Sequence, residues 1–172
     1  MKLLQVLNNV LREIEKLLLT SGIIGLAIIT IGNVISRKAF NASWSWAEEV
    51  SQFILVLITY MGISYAARKG RHIRMTAFND MMNNKGKKIM AIIVAIITFI
   101  FLFYLSYYSA LYVLKAKEIG RITPALRFPY YLVVIWVPIG LFTAGIQYVL
   151  TVIKNIKEKD VWLSAEEKYE YK

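Results

Sequence analysis

The chain has no cysteine, one histidine and three prolines among its 172 residues. Without cysteine it can form no disulfide and offers no thiol for catalysis or metal binding. His72 has no second histidine and only Asp80 as a nearby acid, so we interpret it as a surface residue rather than a metal ligand. The sequence also lacks a glycine-rich phosphate loop and a nucleophile elbow. We therefore predict that the chain is not an enzyme and holds no cofactor.

Charged side chains are absent from four long windows, each 18 to 26 residues without Asp, Glu, Lys, Arg or His. The windows are residues 17–36, 50–67, 89–114 and 128–153. At about 1.5 Å per residue, such helices extend about 27 to 39 Å, enough to cross a hydrocarbon core of about 30 Å. The sequence therefore predicts an all-α integral membrane protein with four transmembrane helices.

The chain divides into three predicted segments: residues 1–16, a transmembrane domain at 17–153, and a charged cytoplasmic tail at 154–172. Apolar residues recur at helical spacing in the first segment, at Leu3, Leu7, Val10, Leu11 and Ile14. This pattern predicts an amphipathic helix on the cytoplasmic membrane surface, and a simple extension of the first span is the alternative. A cleaved signal peptide fits less well, because the apolar window is longer than a usual signal core.

Basic residues are distributed unevenly between the loops. The N-terminal segment, second loop and tail carry 15 Lys and Arg, against 6 in the first and third loops. Because cytoplasmic loops are enriched in Lys and Arg, both termini are predicted to be cytoplasmic. The net charge of +10 then reflects topology and contact with anionic lipid rather than nucleic acid. We assign to the cytoplasmic lipid surface the cluster after the second span: Arg68, Lys69, Arg71, His72 and Arg74.

The second span follows the sequence SWSWAEEVSQF, residues 43–53. Ser45 and Glu48 have the spacing of a capping box, in which the two side chains satisfy backbone N–H groups at a helix start. Trp44 and Trp46 are typical of the aromatic belt at a membrane interface. Local structure is therefore sufficient to explain four of these residues.

Glu49 is not used by the capping box and lies close to apolar depth. A partly buried acid is stabilised by a basic partner, and we expect Arg37 or Lys38 of the first loop, or an arginine on another protein. A solvated surface acid is the alternative. The other candidate contacts for a partner protein on this side are Trp46, Lys115, Lys117, Arg121 and Arg127.

The charge-free windows also limit what the chain can transport. Ion-coupled transporters need an ionisable group or a broken helix near the bilayer midplane, so we predict no ion or substrate site in this chain. Small residues recur four apart, which favours internal helix packing over a partner surface: Ser21 and Gly25, Gly62 and Ala66, Gly140 and Ala144. Pro138 is predicted to kink the fourth span.

Two stretches, WSWAEEVSQFILVLITYMGISYAARKGRHIRM and ALRFPYYLVVIWVPIG, resemble the small membrane subunit of tripartite ATP-independent periplasmic (TRAP) transporters, the DctQ family. The resemblance covers about residues 17–153. The residues that carry it are Asn33, Arg37, Trp46, Glu49, Gly62, His72, Pro129, Pro138 and Gly140.

The resemblance implies a scaffold subunit in the bacterial inner membrane. Its partners would be a large membrane subunit, which moves a carboxylate-bearing solute with coupled sodium ions, and a periplasmic substrate-binding protein. We expect the large subunit to be a separate polypeptide, since the chain ends soon after its fourth span. The solute stays open among C4-dicarboxylates, sialic acid and other sugar acids. The alternatives are a small multidrug-type exporter, although the first span lacks the embedded acid that such exporters need, and a general membrane assembly factor.

Overall fold

The computed structural model describes residues 2–69, 84–158, 160–162 and 164, with the backbone alone at residues 2–9, 11 and 84. The predictions for Arg71, His72 and Arg74 lie outside these residues. The described elements are helices, with bounds α1 Lys2–Phe40, α2 Ala47–Arg68, α3 Asn84–Glu118, α4 Tyr131–Val134 and α5 Trp136–Lys157.

Within the described residues, four stretches are helical, long and apolar enough to cross a membrane: Arg12–Phe40, Ala47–Arg68, Lys85–Glu118 and Tyr131–Lys157. Each corresponds to one predicted span, so the all-α class and the number of spans are confirmed for this part of the chain. The fourth begins at Tyr131 rather than at residue 128, because the preceding residues form a hairpin. The orientation of the termini stays a prediction.

α1 is a single helix of 39 residues without a break near residue 16. The separate amphipathic helix predicted at residues 1–16 is therefore not found, and the alternative of a helical extension describes the backbone. Val10 and Ile14 are about half exposed, at 52% and 50%, whereas Glu15 is buried. The position of this segment on a membrane surface stays a prediction.

The chain forms two compact units, one of residues 1–62 with 109–138 and the other of residues 63–108 with 139–172. In the first unit, α1 packs against α2 at Gly22. A Cβ atom at Gly22 would overlap Ile58 Cγ2, whereas one at Gly25 would lie 3.9 Å from Ile54 Cδ1. The spacing of Ser21 and Gly25 led us to expect close helix packing here. The close contact exists, but it is formed at Gly22.

In the second unit, α3 packs against α5 around Phe103. A Cβ atom at Gly145 would lie 3.3 Å from the Phe103 ring, which also contacts Phe142 edge to face at 5.3 Å between centroids. Gly140 and Ala144 of α5 are buried. Their predicted role in internal packing agrees with this burial.

The fourth span is interrupted at Ile135, between α4 and α5. Pro138 has no N–H to donate to the carbonyl of Val134 four residues earlier, which removes one helical hydrogen bond at this point. The Ile135 N–H still donates to the Tyr131 carbonyl at 3.1 Å. The interruption at Ile135 therefore lies in the turn just before Pro138, where this proline was predicted to kink the fourth span.

The prediction that Arg68 lies on the cytoplasmic lipid surface needs correction. This last residue of α2 is fully buried in the second unit, as is Ser64 one turn earlier. Burial thus continues to the last residue of α2, so the surface prediction is wrong for Arg68. Lys69 is half-buried.

Candidate interaction site on the hairpin between α3 and α4

α3 ends in a Schellman motif, which turns the chain sharply after the helix. The Gly120 N–H donates to the Lys117 carbonyl at 3.1 Å and the Arg121 N–H to the Ala116 carbonyl at 3.4 Å. Gly120 has φ +65°, a left-handed conformation that glycine adopts without a Cβ penalty. The chain therefore enters the following loop in a defined direction.

Residues 121–130 form a tight hairpin. The Thr123 N–H donates to the Phe128 carbonyl and the Tyr130 N–H to the Arg121 carbonyl, both at 2.9 Å. Ile122 and Pro129 form an antiparallel bridge between these bonds. We call residues 115–130 the cationic hairpin, because its exposed charged residues are Lys115, Lys117, Glu118, Arg121 and Arg127.

The tip of the hairpin is one helical turn. It begins at Pro124, and the Arg127 N–H closes it by donating to the Thr123 carbonyl at 3.1 Å. The Thr123 hydroxyl oxygen accepts the Phe128 N–H at 3.0 Å. The N–H groups of Ala125 and Leu126 lie at the start of this turn and have no carbonyl partner within it.

Glu49 of α2 supplies that partner. Its carboxylate accepts the Ala125 N–H at 2.6 Å and the Leu126 N–H at 2.9 Å, and it also bonds to the Thr123 hydroxyl. Phe53, one turn further along α2, contacts Phe128 at 5.6 Å between ring centroids. α2 therefore holds the tip of the hairpin through a polar clamp and an aromatic contact.

The prediction that Arg37 or Lys38 pairs with Glu49 is wrong. Both residues lie exposed in the last turn of α1, and among the described residues no Lys or Arg side chain forms a salt bridge with Glu49. The physical reason is that two N–H groups at the start of a turn present partial positive charge, which a carboxylate accepts in place of a cation.

Aromatic rings support two of the hairpin cations. The Arg121 guanidinium lies 4.4 Å from the centroid of the Tyr130 ring, and Lys117 Nζ lies 5.9 Å from that of Tyr131. These distances are within the range of cation–π contacts. The structure thus brings the predicted residues Glu49, Lys117 and Arg121 together around one loop.

Arg127 adopts a left-handed backbone conformation, with φ +51°. It occupies the position after a helical turn where glycine is common. A non-glycine residue there has unfavourable contacts between its Cβ atom and the backbone. The side chain of Arg127 is exposed and can contact another molecule.

The corner between α1 and α2 lies in the same unit. The Trp44 N–H donates to Asn33 Oδ1 at 2.9 Å, and the Ser36 hydroxyl donates to the Ala42 carbonyl at 2.7 Å. The rings of Trp44 and Trp46 stack in parallel, with centroids 5.5 Å apart. Both tryptophans are exposed, at 37% and 41%, which agrees with an interfacial position.

α2 begins at Ala47, and its first turn is closed by the Val50 N–H donating to the Trp46 carbonyl at 3.0 Å. Trp46 rather than Ser45 therefore precedes the helix directly. The start is one residue later than the capping box of Ser45 and Glu48 assumes, and that box stays a prediction.

A second clamp, which sequence analysis missed, lies after α5 in the other unit. The Asn155 side chain donates to the Trp162 carbonyl at 2.7 Å and accepts the Trp162 N–H at 2.9 Å. Trp162 Nε1–H donates to Glu158 at 2.8 Å, and Lys154 Nζ lies 4.0 Å from its ring centroid. The start of the predicted charged tail is therefore folded, and Trp162 is buried.

The exposed groups of the cationic hairpin are suited to binding another molecule. Within the described residues, no three His, Asp or Glu side chains come together in a group that could hold a metal ion. The exposed side chains of the cationic hairpin instead offer hydrogen-bond donors and positive charge. Such a surface can contact a carboxylate-rich protein or a phosphate group.

Comparison with known proteins identifies the family. Residues 26–158 match the family described as tripartite ATP-independent periplasmic transporters, DctQ component. The chain is 40% identical over 162 residues to the ectoine TRAP transporter small permease protein TeaB of Halomonas elongata, covering 94% of this chain and 84% of the relative. It is 29% identical over 75 residues to the sialic acid TRAP transporter permease protein SiaT of Haemophilus influenzae, covering 44% of this chain and 12% of that relative.

The four apolar helices and these matches define a multi-pass helical protein of the inner membrane. The chain belongs to the DctQ family and is a small membrane subunit of a TRAP transporter, not an enzyme. Small subunits of this family function with a large permease and a periplasmic binding protein, which are the partners that the sequence resemblance implied.

Proposed function

We propose that this subunit is a scaffold for solute uptake and that the large subunit carries both the solute and the coupling sodium ions. The observation that supports this role is the absence of charged residues from the four windows at the centres of the spans. Ion and carboxylate sites inside a membrane are typically built on an ionisable residue or a broken helix near the midplane. The four windows instead contribute apolar and uncharged polar side chains.

The solute that we propose is a small carboxylate-bearing molecule of the ectoine type. The relative that matches over most of its length is named for ectoine, and the shorter match is named for sialic acid. Both compounds carry a carboxylate. Ectoine was not among the solutes expected from the sequence, and the longer match favours it over sialic acid and C4-dicarboxylates.

We further propose that both termini are cytoplasmic and that the cationic hairpin faces the periplasm. The bias of 15 against 6 basic residues supports this orientation. In that arrangement, the hairpin lies on the side of the membrane where the binding protein delivers the solute.

The experiment is uptake of labelled ectoine, sialic acid and succinate by cells with and without this subunit. Cells that express all three components should accumulate one solute, ectoine first, and cells that lack only this subunit should not. Uptake that is the same in both strains would contradict the scaffold role. Uptake of sialic acid or succinate alone would contradict the proposed solute.

A further inference from the structure

We propose that the cationic hairpin is a docking surface for an acidic face of the soluble binding protein and that Glu49 holds this surface in shape. The proposal rests on the proposed function, because it needs a three-part transporter with the hairpin on the periplasmic side. In that arrangement, the exposed residues of the hairpin meet the soluble partner.

Charge is the first argument. Between residues 115 and 127 the sequence contains four basic residues and one acid, Glu118, and all five are exposed. Exposed charges of one sign accelerate and orient the association of a partner with the opposite sign. The complementary partner is a surface rich in Asp and Glu.

Position is the second argument, and it favours a soluble protein over lipid. The third charge-free window ends at Leu114, and α3 continues to Glu118, which is about 6 Å further along the helix. That distance is comparable to the headgroup layer, about 5–7 Å on each side of the hydrocarbon core. Arg121 and Arg127 follow this helix end in the chain, so in the proposed orientation both lie on the periplasmic side of the span, within reach of a soluble partner.

Preorganisation is the third argument. The hairpin has its own backbone ladder, Arg121 stacks on Tyr130, and Glu49 bonds to the tip. A surface whose loops are already ordered loses less conformational entropy on binding. Glu49 is therefore a positioning residue, which acts on the partner only through the shape of the hairpin.

Arg127 provides the fourth argument. Its φ of +51° is a conformation that glycine or asparagine adopts more easily than arginine. Strained positions of this kind cluster at functional sites. A side chain held at the tip of an exposed loop against its backbone preference is well placed for contact with a partner.

The test uses the complete transporter in proteoliposomes and measures uptake as a function of the concentration of its binding protein. Arg121→Gln and Arg127→Asn remove charge, and asparagine tolerates the left-handed backbone at position 127. Lys38→Gln is the matched control, since Lys38 is exposed at the end of α1 and outside the hairpin. Glu49→Gln tests the positioning role.

We expect the double variant of Arg121 and Arg127 to raise the half-saturating concentration of binding protein about tenfold or more, with the maximal rate retained. Added salt should raise the wild-type value and affect the double variant less. Lys38→Gln should match wild type. Glu49→Gln should raise the half-saturating concentration while the salt dependence persists, because the arginine charges remain.

An unchanged half-saturating concentration in the double variant would overturn the proposal, as would an equal effect of Lys38→Gln. Anionic lipid is the other source of negative charge that the hairpin could bind. Uptake is therefore also measured in vesicles that contain zwitterionic lipid alone. If the variants differ from wild type only when anionic lipid is present, the hairpin binds anionic lipid headgroups and the proposal is wrong. If the wild-type subunit forms no complex with a large permease, the proposed function is wrong as well. If the complex assembles normally and the double variant docks the binding protein like wild type, only the docking surface is contradicted.

Discussion

Glu49 joins the start of α2 to a turn 76 residues later in the chain. Two consecutive N–H groups meet its two carboxylate oxygens, which makes the contact sensitive to the chemistry of the side chain and not only to its length. Local sequence patterns indicate that Glu49 is unlike Glu48, but they contain no information about a partner so distant in the chain. This separation is why the sequence led to Arg37 and Lys38 instead.

The first prediction compares Glu49→Gln with Glu48→Gln. A glutamine at position 49 has one acceptor oxygen and places an NH2 group against the second N–H donor, so the hairpin tip should open more often. Backbone N–H groups of residues 122, 123 and 125–128 should exchange with deuterium about tenfold faster or more. Glu48 is exposed, and Glu48→Gln should exchange like wild type. Equal exchange in both variants would show that Glu49 does not hold the hairpin.

At the scale of the helices, the contact between α1 and α2 depends on one missing side chain. A Cβ atom at Gly22 would overlap Ile58 Cγ2, whereas the nearest side-chain atom at Gly25 leaves ordinary van der Waals room at 3.9 Å. The two helices can therefore pack at this point only if residue 22 is glycine. Position 25 has room for a small side chain.

The second prediction is that Gly22→Ala destabilises the subunit in detergent by about 1–3 kcal/mol, the usual cost of overpacking. Gly25→Ala is the matched control and should not lower the melting temperature, because alanine fits and has the higher helix propensity. Adding Ile58→Ala to Gly22→Ala should recover part of the loss. Similar melting temperatures for the two single variants would contradict the close contact.

The third prediction concerns the Asn155 clamp at the end of α5. Asn155 is fully buried, and its replacement by leucine leaves the Trp162 N–H and carbonyl without their partners. A buried backbone group without a partner costs about 1–3 kcal/mol, so we expect a clear drop in melting temperature. Lys157→Gln, at an exposed position of the same helix, should leave the melting temperature unchanged. Equal melting of both variants would mean that the clamp does not stabilise the fold.

These elements also show which structural features the sequence reveals. The spans and the interruption before Pro138 were predictable, because long charge-free windows and the missing proline N–H act within a few consecutive residues. The burial of Arg68, the Asn155 clamp and the continuous α1 were not, because each depends on packing or on a boundary without a local signal. The hairpin cations were identified as candidates from charge, but their arrangement depends on Glu49 and the backbone ladder.

At the scale of the whole molecule, orientation in the membrane governs which surfaces can meet the binding protein. The fourth prediction uses the absence of native cysteine, which allows single-cysteine labelling without a background. Ser43→Cys and Ile119→Cys, both at exposed positions, should react with a membrane-impermeant reagent added outside the inner membrane, and Lys157→Cys should react only after the membrane is opened. The reverse pattern would contradict the proposed orientation and the docking surface.

The central claim is that this DctQ subunit supports uptake without a transport site of its own. The most direct test is reconstitution in liposomes with an imposed sodium gradient and labelled ectoine, comparing the complete transporter, the transporter without this subunit, and this subunit alone. We predict uptake for the complete transporter, with binding protein present, and none for either incomplete set. Sodium-driven uptake by this subunit alone would contradict the account.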